Sequence, residues 1–281
     1  MSFRRAGTLL DNVFSYGCCV MRLQTGRVRV QLSRAGVVCA LVGAIIALGL
    51  SGCSTFESAS TDPTPSNFPV HGIDVSYYQG NIDWPSVRAN GTTFAYIKAT
   101  EGGDVVDPKF SQNWDGAREA GIDRGAYHFY YFCRPVEEQI AWFKQHVPAD
   151  KDALPPALDM EWNPNSKTCH LRPPRDKILA DMKIFLDELE RYYGKRPVIY
   201  SSIDFHRDVL EGSFQDYPFW VRSVKTYPAN RYGDRRWHFW QYTEKGSLPG
   251  VSGNIDKNAF VGTHAEWAKF CEGKLDPAQW P

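Results

Sequence analysis

The chemistry-bearing stretch of this chain is Pro155-Pro156-Ala157-Leu158-Asp159-Met160-Glu161-Trp162. It reads as a short apolar strand carrying two acids. Successive side chains of a strand point to opposite faces. Asp159 and Glu161 therefore share one face, and Leu158, Met160 and Trp162 take the other. Two residues of strand separate the acids by roughly 7 Å along the backbone. Burial and mutual repulsion should raise the pKa of one of them. A protonated acid beside an ionised one is the equipment for breaking a glycosidic bond. The plainer reading of a lone Asp-x-Glu is a strand-end cap or an Arg partner, so the surrounding elements decide.

Those elements alternate. Strands are expected at His71–Ser76, Thr93–Ala99, Gly125–Phe132, around Asp159 and Glu161, and at Pro197–Ser201. Helices are expected at Trp84–Ala89, Pro108–Ala120, Pro135 to about Val147, Arg175–Tyr193 and near Phe205–Leu210. In Arg175–Tyr193 the residues Ile178, Met182, Phe185, Leu186 and Leu189 recur at helical spacing. Three further strands, Phe219–Arg222, Trp237–Tyr242 and Asn254–Phe260, follow with few helices between them. The pattern predicts an α/β fold, an irregular (β/α)-barrel of TIM type and parallel character: about five βα units closed by three more strands. An open doubly wound sheet is the alternative, weakened by the lack of a glycine-rich phosphate loop.

Barrels of this type place catalysis at the C-terminal ends of their strands. Asp74, Glu101, Asp159, Glu161 and Asp256 all fall at such ends. Gathered negative charge costs stability unless function needs it. In a closed barrel the first and last strands are neighbours, so Asp74 and Asp256 can meet. Tyr78, Tyr130, Tyr131, Trp162, Tyr200, Trp240 and Tyr242 lie near the same ends, and flat rings with polar tips suit sugar faces. Most strand aromatics are simply core. His128 sits amid apolar residues and reads as a satisfied interior histidine.

The charge distribution separates the N-terminus from the body. Residues 1–52 hold six Arg and one acid, leaving 26 basic and 31 acidic residues beyond them. A mildly acidic body argues against nucleic acid as a partner. The apolar run Ala35–Leu50 is short for a membrane span and suits a secretory signal core. It ends in Leu50-Ser51-Gly52-Cys53, which resembles a bacterial lipobox with Cys53 as the lipid acceptor. Met21 offers a second start, which would make residues 1–20 an over-extension. The expected organisation is a signal peptide over 1–52, a lipidated, flexible tether over 53–70 and a catalytic barrel over 71–281. By analogy with lipoprotein sorting, Ser54 points to the outer membrane facing the periplasm, with secretion if the lipobox is unused. A monomer is expected. Of the cysteines beyond the tether, Cys133 and Cys169 sit in neighbouring loops and are the expected disulfide; Cys271 is then left over. No spacing suggests a metal site.

The motifs, taken together, point to one family. They are Gly72-Ile73-Asp74-Val75-Ser76 with Gln79-Gly80, Lys98-Ala99-Thr100-Glu101-Gly102, Ala126-Tyr127-His128-Phe129, Leu158-Asp159-Met160-Glu161, Trp240-Gln241-Tyr242 and Ile255-Asp256. In this order they resemble the glycoside hydrolase family 25 lysozymes, the Chalaropsis-type muramidases, from about His71 to about Phe270. The resemblance implies hydrolysis of the β-1,4 bond between N-acetylmuramic acid and N-acetylglucosamine in peptidoglycan, without metal or cofactor. Glu161 would then be the general acid and base. Asp159 would be either a covalent nucleophile or the group that orients the substrate's own 2-acetamido group, with Asp74 and Asp256 in support. Gln241 joins the substrate-binding candidates through its motif. Two readings compete: a peptidoglycan-binding lipoprotein without catalysis, and a chitinase-like hydrolase. Leu154 and Ala157 stand where family 18 chitinases carry two further acids. The Cys133/Cys169 pair, the enlarged loop after the fourth strand and the Tyr130-Tyr131-Phe132 run depart from the family pattern.

Overall fold

The structure, a computed structural model, describes residues 62–275. The expected signal, the Cys53 acceptor and the first half of the tether lie outside the described residues. Among the described residues no helix is long and apolar enough to cross a membrane.

Short β-branched and aromatic runs supply the strands: β1 (Val70–Val75), β2 (Phe94–Glu101), β3 (Val105–Val106), β4 (Asp123–Phe129), β5 (Ala157–Met160), β6 (Val198–Ser201), β7 (Phe219–Arg222), β8 (Phe239–Gly246) and β9 (Ile255–Phe260). Their order is β1-β9-β8-β7-β6-β5-β4-β2-β3, and β1 also pairs with β2. Eight strands thus close into a barrel, and two-residue β3 hangs from β2 as a hairpin. Helices α1 (Trp84–Ala89), α2 (Phe110–Glu119), α3 (Val136–His146) and α4 (Arg175–Tyr193) cover the early strands, and a short helical turn over Ile203–Leu210 follows β6. This is the expected irregular barrel, with one correction. Strand β9 runs antiparallel to both β8 and β1. The link from Gly246 to Ile255 is too short for the crossover that a parallel partner needs.

Two layers of apolar side chains hold the barrel. Inside, Phe94, Tyr96, Trp220, Phe239 and Phe260 fill the axis, and Trp267 and Phe270 from the C-terminal helix (His264–Cys271) plug the bottom. Outside, Ile73, Ile97, Leu158, Met160, Ile199 and Val221 pack under the helices. The α4 stripe Ile178, Met182, Phe185, Leu186 and Leu189 is buried against them. The interior rings need glycines opposite them. A Cβ on Gly72 would sit 2.4 Å from the Phe94 ring, and one on Gly125 2.4 Å from Tyr96. With the floor filled by rings, the interior of the barrel opens at its top.

Cys133 and Cys169 form a disulfide that ties the loop after β5 to the loop after β4. Cys271 is a half-buried free thiol. His128 is fully buried and stacked on Phe185. Its ring nitrogens meet Thr100 Oγ1 at 2.7 Å and Gln139 Oε1 at 3.1 Å. Burial pushes its pKa down to about 4. It is a neutral, satisfied core histidine, as its surroundings in the sequence suggested.

Candidate active site

A cavity of about 470 Å3 opens at the top of the barrel. Asp74, Asp159, Glu161 and Asp256 all line it. Strand alternation puts them there. On β1, Asp74 follows Gly72 on the inner face; at the end of β5, Asp159 and Glu161 follow Ala157. Asp256 arrives by another route. It stands at the start of β9, and because that strand is reversed its beginning meets the ends of the parallel strands. Asp74 and Asp256 are directly paired across β1 and β9.

Asp74 rests on a hydrogen-bonded floor. Gln241 Nε2 and Asn258 Nδ2 both donate to its Oδ2, at 3.0 and 2.8 Å. Tyr200 in turn donates its hydroxyl to Gln241 Oε1 at 3.0 Å, and Trp220 Nε1 donates to Asn258 Oδ1 at 2.8 Å. Every member of this network is buried. Satisfied networks of this kind fix a buried carboxylate in one position. Asp159 is different: it is buried, and its Oδ1 has no hydrogen-bond partner among the described residues.

Burial is the largest influence on all four acids, and it favours their neutral forms. It pushes Asp74 up to about 6, against the pull of Asn258 and Gln241. It pushes Glu161 up to about 7, opposed by the Arg222 guanidinium. Asp256 rises to about 8, helped by the charge of Asp74. Asp159 is also raised well above the ordinary range, by burial and then by Glu161, with Lys98 pulling the other way. Close carboxylates lose protons as a group. At neutral pH the Asp159–Glu161 pair therefore retains a proton, which general-acid chemistry requires. Cations stand nearby but are already engaged. Lys98 Nζ is paired with Glu101 at 2.7 Å, and Arg222 with Glu244.

A family model, glycosyl hydrolases family 25, matches residues 73–251. The chain belongs to family 25. It is 37% identical to Lysozyme M1 of Streptomyces globisporus over 214 residues, covering 70% of this chain and 69% of that protein. It is 31% identical to the N,O-diacetylmuramidase of Chalaropsis sp over 223 residues, covering 74% and 96%. A family 25 glycosyl hydrolase from Bacillus anthracis has the same fold, with a TM-score of 0.68 and 36% identity over 75% of this chain and 97% of that one. As a family 25 member the chain is a glycoside hydrolase.

Around the four acids, this family 25 cavity takes up only part of the expected aromatic set. Tyr78, Tyr200 and Gln241 line it. Tyr78 is 76% exposed at its mouth and packs on Tyr77, with ring centroids 4.1 Å apart and the planes tilted by 32°. Trp162, Tyr130, Trp240 and Tyr242 do not line it. Each is one residue from an inward-facing neighbour (Glu161, Phe129, Gln241), and alternation turns it to the outer side. Trp240 donates Nε1 to the Ser223 carbonyl at 2.8 Å and packs against Phe68 and Trp237. Tyr242 packs on Trp240 and His71. Trp162 packs on Phe132 and Phe205 and donates to Asp208 Oδ2 at 3.0 Å. Tyr130 is buried in the outer core. Tyr131 lies past the end of β4, which stops at Phe129, and its hydroxyl meets Ser166 Oγ at 2.9 Å. Glu101 holds Lys98 and does not reach the cavity wall.

The cavity also contains residues not singled out as site groups from the sequence: Lys98, Tyr127, Phe129, Trp220 and Arg222. The signal was available. Lys98 continues the inward series Phe94-Tyr96, Tyr127 and Phe129 continue from Gly125, and Arg222 follows Trp220.

Proposed function

We propose that this family 25 hydrolase is a muramidase that cleaves the β-1,4 bond between N-acetylmuramic acid and N-acetylglucosamine in peptidoglycan. The observation that carries this reading is a carboxylate pair, buried Asp159 and half-buried Glu161, both raised above their ordinary pKa range, on the wall of one cavity of sugar-binding size. The names of the relatives, a lysozyme and an N,O-diacetylmuramidase, supply the substrate class.

Glu161 is the general acid. Its proton passes to the glycosidic oxygen as the bond from that oxygen to the anomeric carbon breaks. The carbonyl oxygen of the substrate's 2-acetamido group attacks the same carbon from the opposite face. Asp159 accepts the acetamido N–H. The unpartnered Asp159 Oδ1 favours this route over direct attack by Asp159, because a buried carboxylate oxygen gains most from a donor that arrives with the substrate. That hydrogen bond also favours the ionised form of Asp159, leaving the proton on Glu161. In the second step water attacks the anomeric carbon as its bond to the acetamido oxygen breaks, Glu161 takes the water's proton, the 2-acetamido group is restored, and configuration is retained. Asp74, fixed by Gln241 and Asn258, and Asp256 paired beside it support the catalytic pair from the same cavity wall, and Tyr78, Tyr200 and Gln241 contact sugar.

The same reading gives the leader over 1–52 the task of export. Cys53 carries lipid, and the barrel from residue 71 faces the periplasm as a monomeric outer-membrane lipoprotein. Analysis of muropeptides released from purified sacculi tests the bond: products must end in reducing N-acetylmuramic acid. Glu161→Gln should abolish release with the fold intact, and Asp159→Asn should be severely impaired. Near-wild-type turnover by the Gln variant rejects the assignment. Release of reducing ends from chitin but not from peptidoglycan would favour the chitinase-like alternative.

A further inference from the structure

A second hollow of about 200 Å3 lies beside the catalytic cavity, and the mechanism above does not use it. Tyr131, Phe132 and Trp162 wall it, and His170, Leu171 and Arg172 form its lip. The two spaces lie on opposite sides of the same strand ends. Glu161 lines one and Trp162 the other; Phe129 lines one and Tyr130 the other.

The hollow is a built feature. The Cys133–Cys169 disulfide clamps its lip to the loop that follows β4. Phe132 packs between Trp162 and Phe205, with ring centroids 5.3 and 5.8 Å away. The lip is basic. Residues 162–172 include Lys167, His170 and Arg172 and no acid, in a body that is otherwise mildly acidic. The Arg172 guanidinium lies over the Trp162 ring, 4.6 Å from its centroid, and makes no ion pair with any described residue. The acid facing Trp162, Asp208, is already held by Arg207 at 2.8 Å. Leu171 is 53% exposed at the same lip. An apolar wall with a cation over it fits an organic carboxylate. At this volume the hollow falls below the range of larger ligand pockets, which suits a side group of the substrate better than another pair of sugars.

We infer that this hollow binds the stem peptide carried by the N-acetylmuramic acid residue, with Arg172 holding one of its carboxylates and the aromatic wall packing against its side chains. The inference rests on the peptidoglycan reading above. It makes the loop after β5 a specificity device: glycan that still bears stem peptides is bound more tightly than bare glycan.

The test uses two substrates from one preparation of sacculi, one intact and one stripped of peptides by an amidase. Wild-type protein should show a lower KM on the stem-bearing glycan. Arg172→Gln should raise that KM by about tenfold, the size of a lost charge-assisted hydrogen bond, with kcat and all turnover of stripped glycan unchanged. Arg172→Lys, which keeps the charge, should recover most of the loss. Equal KM on both glycans for the wild type, or an equal effect of Arg172→Gln on both, overturns the inference. Tighter binding of stripped glycan also overturns it, because stripping exposes the lactyl carboxylate in place of the peptide. Failure of the wild type to cleave either glycan is a separate result: it removes the muramidase reading, and this inference with it.

Discussion

Glu161 is held against its own charge, and that makes Glu161→Gln a test of stability as well as of catalysis. The rise from its ordinary 4.5 to about 7 is caused first by burial. Fully converted, it is equivalent to about 3 kcal/mol of folding free energy once the group ionises. The side chain keeps some contact with solvent through the cavity mouth, so about 2 kcal/mol is the working figure. The sign follows from linkage. The folded chain binds this proton more tightly than the unfolded chain does. The stabilisation is present in full below the unfolded pKa of 4.5 and is lost as pH rises through 7. A glutamine is neutral throughout and loses nothing. At about 2–4 °C per kcal/mol for a domain of this size, the Gln variant should melt about 6 °C above wild type at pH 8 and together with it at pH 4. Calorimetric melts of both proteins at the two pH values measure this, with cell-wall turnover recorded alongside. A Gln variant that melts below wild type at pH 8, or whose advantage is the same at both pH values, refutes the claim that Glu161 is kept neutral by its surroundings.

The same acid sets the alkaline limb of activity: kcat/KM on sacculi should fall tenfold per pH unit once the Glu161 proton is lost, above about 7. A rate still climbing at pH 9 assigns the proton to another group. Asn258→Ala removes a donor to Asp74 and the acceptor for Trp220. It should cost about 1–3 kcal/mol and move the Asp74 pKa above its present value of about 6, read by carboxyl NMR; an unmoved pKa means the floor network does not govern Asp74. Gly125→Ala drives a methyl group to 2.4 Å from the Tyr96 ring. Denaturant melts should show a loss of about 1–3 kcal/mol from overpacking, with no change in the pH profile of catalysis.

The barrel and its acids were legible because both follow from local rules. Apolar runs of strand length alternate with helical stripes, and Arg175–Tyr193 is the expected helix to the residue. The side-by-side projection of Asp159 and Glu161 needs only the two-residue repeat of a strand. The aromatic assignments were looser because they used nearness along the chain and not parity. Trp162, Tyr130, Trp240 and Tyr242 are odd neighbours of inward residues, and the rule that joins Asp159 to Glu161 turns them outward. The direction of β9 lay beyond periodicity altogether. Alternation is the same in either sense, and only the short Gly246–Ile255 link carries the information.

The reversal of β9 bears on how four carboxylates coexist. A parallel final strand would leave Asp256, at its start, at the bottom of the barrel among rings such as Phe94 and Phe239, where an isolated charge is costly. Reversed, the strand brings Asp256 to the rim beside Asp74. The charge collected there is not cancelled by dedicated partners. Lys98 and Arg222 each divide their field between an acid at the edge, Glu101 or Glu244, and the acids within. Such sharing moderates the repulsion without forming a direct ion pair to Asp159 or Glu161. A dedicated pair would pull Glu161 down to its ordinary value and leave no proton to donate at neutral pH. Burial raises the acids within, and by engaging Lys98 and Arg222 the edge acids Glu101 and Glu244 limit how far those cations pull them back.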